Sequence, residues 1–256
     1  MPQASVRVTE LTWGEYGEHV DAGGIVILPV GSTEQHGHHL PLATDTLIAT
    51  RLAELVATDL GAVVAPALGY GFRSQPETGG GEAFPGSTGI SGATLAMLVC
   101  DVVMSLAAGG ATRIIVLNGH YENASFIVDG VERAVDVGHR TPPRVLVARW
   151  APFVGPQTLA RMSSNRNIDW SREHAGVAET SLLAALCPEL VRPVTERARV
   201  APAPKPYQAF PQPSTRPAHD GLLAPAGEAS AELGQAMIED VVTGLARAAR
   251  VEFGME

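Results

Sequence analysis

Two short segments carry the residues whose types and spacing could do chemistry. In "LPVGSTEQHGHHLPLATDT", residues 28–46, Glu34 and His36 follow a short apolar run, and Asp45 stands near the end. In "VLNGHYENASF", residues 116–126, His120 and Glu122 follow a second apolar run. An acid and a histidine two apart in a turning backbone can be steered separately, because no helical spacing fixes their faces. Taken alone, residues 28–46 fit either a solvated polar turn with Asp45 as a helix cap or half of a metal site. Glu122 taken alone is equally explained as a helix start. Two such pairs past two strands, with Asp45, offer five hard or borderline ligands, Glu34, His36, Asp45, His120 and Glu122, a set suited to Zn2+ or Mn2+. That is too many for one open catalytic zinc and fits two metals, ~3.5–4 Å apart, sharing a carboxylate. Three carboxylates and a bridging hydroxide would neutralise two divalent cations, which suits an uncharged substrate. His38 and His39 are loop or supporting residues on this reading, since they need not converge with His36.

The elements that must position these groups follow from periodicity. "GGIVILPVG" (23–31), "AVVAPALGYG" (62–71), "RIIVLNG" (113–119) and "RVLVARW" (144–150) are apolar, β-branched runs closed by breakers, and they predict strands. Between and after them, helical spacing predicts helices over 45–60, 91–110 with Ser91 as cap, 123–138, 175–190 up to Pro188, and 227–253. Strands alternating with helices imply βαβ units and an α/β three-layer sandwich with a mainly parallel sheet. Ligands in such sheets sit at the carboxyl ends of the strands, where both histidine–acid pairs fall. Residues 198–225 hold seven prolines without periodicity and predict an extended segment, an ordered loop, a surface strap or an arm toward a neighbouring subunit. Tyr207 and Phe210 keep the intersubunit reading open.

Composition narrows the class. A chain of 256 residues, 45% hydrophobic, can bury a sizeable core, and the expectation is a single domain over 1–256. The net charge of −9 argues against a nucleic-acid partner. Cys100 and Cys187 lie in apolar, helix-like surroundings and read as core residues rather than a disulfide framework. The opening "MPQASVRVTELTW" shows no signal-peptide pattern, and no apolar stretch reaches the ~18 residues of a membrane helix. A cytoplasmic globular protein acting on a small molecule is expected. "ETGGGEAFPGST" (77–88) lacks the lysine and spacing of a phosphate loop and is read as a flexible loop near the pocket.

These segments carry a resemblance. Over almost its whole length the chain resembles the creatininase (creatinine amidohydrolase) family, through "ELTWGEY", "LPVGSTEQHGHH", "GYGFRSQPETGGGEAFPGST", "NGHYENASFIV", "EHAGVAETSL" and "FPQPSTRPAHDG". The glycine-rich loop, the tyrosine of "GHYEN" and the tryptophan before "EH" favour the creatinine-opening members over the peptidase and formamide-hydrolase ones. The resemblance implies a three-layer α/β fold, a homohexamer and a binuclear centre. In it, Glu34, Asp45 and His120 hold one metal, His36, Asp45 and Glu122 the other, with Asp45 shared.

Trp13, Trp150 and Trp170 read as packing on composition alone. The resemblance makes Trp170 a lid over a flat ring ligand, with Trp150 beside it, and places Thr78, the Tyr121 backbone, Ser171 and His174 at the substrate. Amide hydrolysis needs a proton donor for the departing nitrogen, and a neutral histidine can shuttle one. His174 takes that role, Glu122 helps orient water, and Glu179 is a supporting partner. The implied reaction opens the cyclic amide of creatinine to creatine, reversibly. Two positions depart from the pattern. Thr78 stands where serine is common, and Ser171, followed by Arg172, stands where an aspartate is expected. The second removes a carboxylate beside the substrate and leaves open another small amide as substrate: a formamide, a peptide or a cyclic ureide. A non-catalytic metal-binding oligomer is the remaining reading.

Overall fold

The computed structural model describes residues 5–136, 142–162, 168–194, 200, 203, 205, 207, 209–212 and 214–255. A first helix, α1 (Trp13–Asp21), is set by a capping box. The Glu15 N–H donates to Thr12 Oγ1, and the Thr12 N–H donates to Glu15 Oε2 at 2.7 Å. Trp13 at its start is 91% exposed, so it packs in no core of this chain. Strand β1 (Ile25–Val30) leads to α2 (Thr44–Leu60) and the short β2 (Val63–Val64). Then come α3 (Gly92–Ala108), β3 (Arg113–Asn118), α4 (Ala124–Asp136) and β4 (Arg144–Arg149). The chain continues through α5 (Pro156–Met162), α6 (Val177–Leu186) and α7 (Ala231–Phe253).

The sheet order is β2-β1-β3-β4, and every pairing is parallel. Both faces are covered, which the strand sequences require: all six residues of β1 are buried. Ile25 and Ile27 of β1 and Ile115 and Leu117 of β3 pack with α2, α6 and α7. Their neighbours Val26, Leu28, Val30, Ile114 and Val116 pack on the other face with α3 and α4. The period-two alternation of a strand thus feeds two cores and gives the expected three layers.

The expected second strand over 62–71 is much shorter than predicted. Regular pairing with β1 covers only Val63 and Val64. The Ala65 and Leu68 N–H groups still bond to Ile27 and Pro29 of β1. The 91–110 helix matches α3, and the Ser91 hydroxyl accepts from the Thr94 N–H at 3.1 Å. The last helix starts at Ala231 rather than 227, because Ser230 caps it through the Leu233 N–H. Gly234 lets α7 approach α6 closely: a Cβ there would overlap the Ser181 carbonyl oxygen. Residues 137–138 of the helix predicted over 123–138 lie outside the described residues.

The described residues of the proline-rich segment form no helix or strand, and its positions 198, 199, 201, 202, 204, 206, 208 and 213 lie outside them. Its end is tied down: Leu222 is buried with Ala226 and Ala175. Cys100 and Cys187 are free and buried, as expected of core residues. Among the described residues no helix is long and apolar enough to cross a membrane.

Candidate metal centre

Val30 and Asn118 are register partners at the ends of β1 and β3, so the two polar segments leave the same sheet edge side by side. The Gly119 N–H to Val30 carbonyl bond, 2.8 Å, extends that register by one step. The Asn118 side chain then brackets His120, donating to its carbonyl at 2.8 Å and accepting from its N–H at 3.0 Å. Asp45 lies in the first turn of α2, where a carboxylate is favoured by the helix dipole.

The predicted residues meet. His120 Nδ1 lies 3.0 Å from both Glu34 Oε1 and Asp45 Oδ2. His36 Nε2 lies 3.1 Å from Asp45 Oδ1. One carboxylate therefore spans both imidazoles. Glu122 Oε2 is 3.4 Å from His120 Nε2, and Glu122 Oε1 accepts from Thr78 Oγ1 at 2.6 Å and the Gln75 N–H at 3.1 Å. Glu179 enters the cluster more closely than a supporting role requires, with Oε2 3.6 Å from His36 Nε2. Three groupings of donors are close enough to share an ion: Glu34–His120–Glu122, His36–Asp45–Glu179 and Glu34–His36–His174. Glu122 thus sits with Glu34 and His120, and the acid beside His36 and Asp45 is Glu179. His39 is buried on Thr180 Oγ1, whereas the His38 side chain is 66% exposed; neither joins the cluster.

The donor chemistry fits divalent cations. Glu34 Oε2 is buried without a hydrogen bond among the described residues, and Asp45 Oδ2 has only the His120 imidazole beside it, at 3.0 Å. Among the described residues, only imidazoles stand in ion-pair range of Glu34, Asp45, Glu122 and Glu179. Burial alone would strip the proton from His36, but Asp45, Glu179 and Glu34 outweigh it and lift the ring to about 10. His120 rises likewise, against its burial, through Glu34 and Glu122. Asp45, despite burial, is held well below the usual carboxylate range by His36 and His120. Burial and nearby acids raise Glu179 instead. A field that retains protons on two buried imidazoles is one that favours cations.

His174 closes the other side. Its ring lies 4.3 Å from that of His36, and Nδ1 is 3.6 Å from Glu34 Oε1. Burial, then the charge on His36, lowers it to about 4, so the ring is neutral. Ala175 after it adopts φ +52°, an unusual value for a residue with a Cβ, and its N–H donates to Glu179 Oε2 at 2.7 Å.

Beside the cluster, a cavity of about 80 Å³ is lined by His120, Tyr121, Arg149, Trp150, Trp170 and Glu173. Trp150 and Trp170 meet edge to face at 5.5 Å, and the Arg149 guanidinium lies 5.9 Å from the Tyr121 ring centre. Burial raises the Glu173 carboxyl to about 7, and one of its oxygens accepts from the Ala178 N–H. The Ser171 hydroxyl is turned to Asp169 Oδ1 at 2.6 Å. A larger cavity, about 820 Å³, lies between the glycine-rich loop and Phe210, and none of the ligand candidates lines it. Sequence reasoning gave no role to Gln35, Arg149 or Glu173. Gln35 has the clearest signal, an uncharged polar side chain between two ligand types.

Nitrogen and carboxylate donors gathered at the carboxyl edge of a doubly covered parallel sheet define an α/β protein built around a metal centre. The chain belongs to the creatininase family: the family model described as creatinine amidohydrolase matches residues 9–249. It is 42% identical to creatinine amidohydrolase of Pseudomonas putida over 97% of this chain and 98% of that one. It is 35% identical to the mycofactocin precursor peptide peptidase of Mycolicibacterium smegmatis, over 64% of this chain and 59% of that one. A glutamate-to-glutamine mutant creatininase complexed with creatine superposes with a TM-score of 0.90 at 40% identity, covering 98% of this chain and 99% of that one. A Zn-Zn form of such a mutant gives 0.91 at 41% identity, with the same coverage.

Proposed function

We propose that this chain hydrolyses creatinine to creatine, reversibly, at a centre holding two divalent ions, zinc or manganese. The observation that carries the reading is the juxtaposition of the five-ligand cluster with a two-tryptophan cavity, in a chain similar over nearly its whole length to a creatinine amidohydrolase. Solved relatives are described as Zn-Zn and Mn creatininases, and the donor set here is of the same kind. The resemblance gives Glu34, Asp45 and His120 to one ion and His36, Asp45 and Glu122 to the other; the spacing of the donors supports Glu34, His120 and Glu122 around one ion and His36 and Glu179 around the other, with Asp45 reaching both. Ions there would supply Lewis acidity toward the amide carbonyl and a nucleophile from water at neutral pH.

The chain's own groups do the rest. Trp150 and Trp170 hold a flat ring and exclude water. Thr78 and the Gln75 N–H fix the Glu122 carboxylate, which orients the attacking water. Tyr121 lines the cavity, and the resemblance places Ser171 near the substrate. Water adds across the amide C–N bond, its oxygen going to the carbonyl carbon and a proton to the ring nitrogen. His174 Nδ1 carries that proton.

A peptide or formamide as substrate is the second reading, favoured by Ser171 facing Asp169 and by the partial peptidase match. The small cavity favours a single ring over a peptide. Metal-loaded protein assayed on creatinine, a formamide, a short peptide and a cyclic ureide decides the matter. Creatinine is expected to give the highest kcat/KM, and a better result on any other member would overturn the assignment.

Gly79 tests the metal centre separately. A Cβ on it would stand 2.8 Å from Glu34 Oε2 and 3.1 Å from Glu122 Oε1. Gly79→Ala is expected to weaken zinc retention about 10-fold, the effect typical of disturbing groups that support ligands, measured by competition with a chromogenic chelator. A single-domain, cytoplasmic homohexamer without nucleic-acid or membrane partners completes the proposal, supported by the resemblance and by exposed Trp13, Tyr207 and Phe210. Light scattering tests the assembly.

A further inference from the structure

Gln35 is flanked by two ligand candidates, yet its own bonds run elsewhere. Oε1 accepts from the Gly37 N–H at 2.9 Å, which fixes the amide's orientation. Nε2 lies 2.9 Å from both the Gly79 and the Gly221 carbonyl oxygens. His174 Nε2 lies 2.8 Å from the Gln35 main-chain carbonyl and 2.8 Å from Gln35 Nε2.

Donor counting resolves this crowded corner. A carbonyl only accepts, so His174 Nε2 at 2.8 Å must carry a hydrogen and donate it to Gln35 O. A nitrogen that donates in that way does not accept from the amide. Both amide hydrogens are then free for Gly79 O and Gly221 O, and every polar atom of the Gln35 side chain is satisfied. In a neutral imidazole with hydrogen on Nε2, the lone pair is on Nδ1. Nδ1 is the atom facing Glu34 across 3.6 Å, on the metal-centre side.

We propose that Gln35 is a positioning residue for His174. Its main-chain carbonyl fixes the Nε2–H tautomer, and its side-chain amide pins that carbonyl by tying residue 35 to the glycine-rich loop and to Gly221. The segment carrying Gly221 is itself tied to His174, because the Leu223 N–H donates to the His174 carbonyl at 3.1 Å. Three distant stretches of chain thus converge on one ring. The consequence for turnover rests on the proton-carrying role proposed for His174; the tautomer does not.

The test uses zinc-loaded protein with 15N-labelled histidine, His174 being assigned by its loss in His174→Ala. The expected spectrum shows a protonated Nε2 and an unprotonated Nδ1; hydrogen on Nδ1 would overturn the proposal without touching the assigned reaction. Gln35→Met keeps the length and removes the amide. Expected are two zinc ions per chain, KM within about twofold, kcat lowered about 10- to 100-fold, as for lost supporting partners, and a mixture of His174 tautomers. Unchanged kcat per zinc-loaded site with the tautomer intact would show a merely structural side chain. If instead His174→Ala turned over normally while the Nε2–H tautomer stood, the proposed function would fail and the positioning would survive.

Discussion

Replacing Asp45 by alanine is expected to leave at most one firmly bound zinc per chain and to lower kcat at least about 10³-fold. Asp45 approaches both imidazoles closely, Oδ1 at 3.1 Å from His36 and Oδ2 at 3.0 Å from His120, whereas Glu34 is 3.0 Å from His120 but 3.9 Å from His36. Without it, neither half of the cluster keeps its shared oxygen donor. The Lewis-acid stabilisation of a carbonyl oxygen is worth several kcal/mol, and about 4 kcal/mol corresponds to about 10³ in rate. Stability should fall as well. Metal at about 100 times its dissociation constant stabilises by about 2.7 kcal/mol, which is roughly 5–10 °C in Tm for a domain of this size. Elemental analysis, a creatinine assay and a thermal melt in the presence and absence of chelator check the three parts. Asp45→Asn, which keeps the shape, should resemble alanine in metal content, because the charge and not the volume holds the ions. Two retained zincs with ordinary turnover would remove Asp45 from the centre.

The convergence of the candidate ligands was legible in the sequence because each histidine–acid pair directly follows a strand, and the strands are dense apolar runs closed by glycine. A parallel sheet turns that local fact into proximity. Val30 and Asn118 lie in register, so whatever follows them shares one edge. Glu179 was harder to place. It stands in the first turn of α6, and only the packing of that helix on α2 and α7 brings it to 3.6 Å from His36. Nothing within its own segment encodes the distance. Gln35 escaped for a different reason: spacing arguments treat the residue between two ligands as a spacer, whereas its partners Gly79 and Gly221 come from loops with no periodicity.

The elements followed the same division. Runs with strong alternation or helical spacing became β1, β3, β4, α2, α3 and α7 close to where periodicity put them. The second strand stopped at Val64 because the ladder loses its two-residue rhythm there: Ala65 bonds to Ile27, but the next bond, to Pro29, comes from Leu68 rather than from residue 67. Helix α1 carried its signal in Thr12 and Glu15, a capping box that hydrophobic periodicity alone passes over. Ser171 illustrates the limit at the site. The resemblance leads one to expect an aspartate at this position, and the structure shows the Ser171 hydroxyl engaged with Asp169, two residues away.

His174→Ala is expected to separate the proton-carrying group from the metal centre. Its ring is buried, 4.3 Å from His36, and its Nδ1 stands 3.6 Å from Glu34 Oε1, near the ligands but bonded to none of them. The variant should therefore keep two zincs and a Tm close to that of the parent, since Glu34, His36, Asp45, His120 and Glu122 remain. Turnover should fall about 10²- to 10⁴-fold, the range for losing a positioned general acid or base. If the ring acts only as the departing nitrogen takes its proton, kcat and kcat/KM fall together and KM stays nearly constant. A ground-state contact to the ligand would instead raise KM with kcat preserved. Loss of zinc from the variant would make His174 a ligand, consistent with its proximity to Glu34 and His36, and would shift the proton transfer to another group. The discriminating data are metal content and the kcat–KM split measured on the same preparation, because an activity loss by itself is common to all three outcomes.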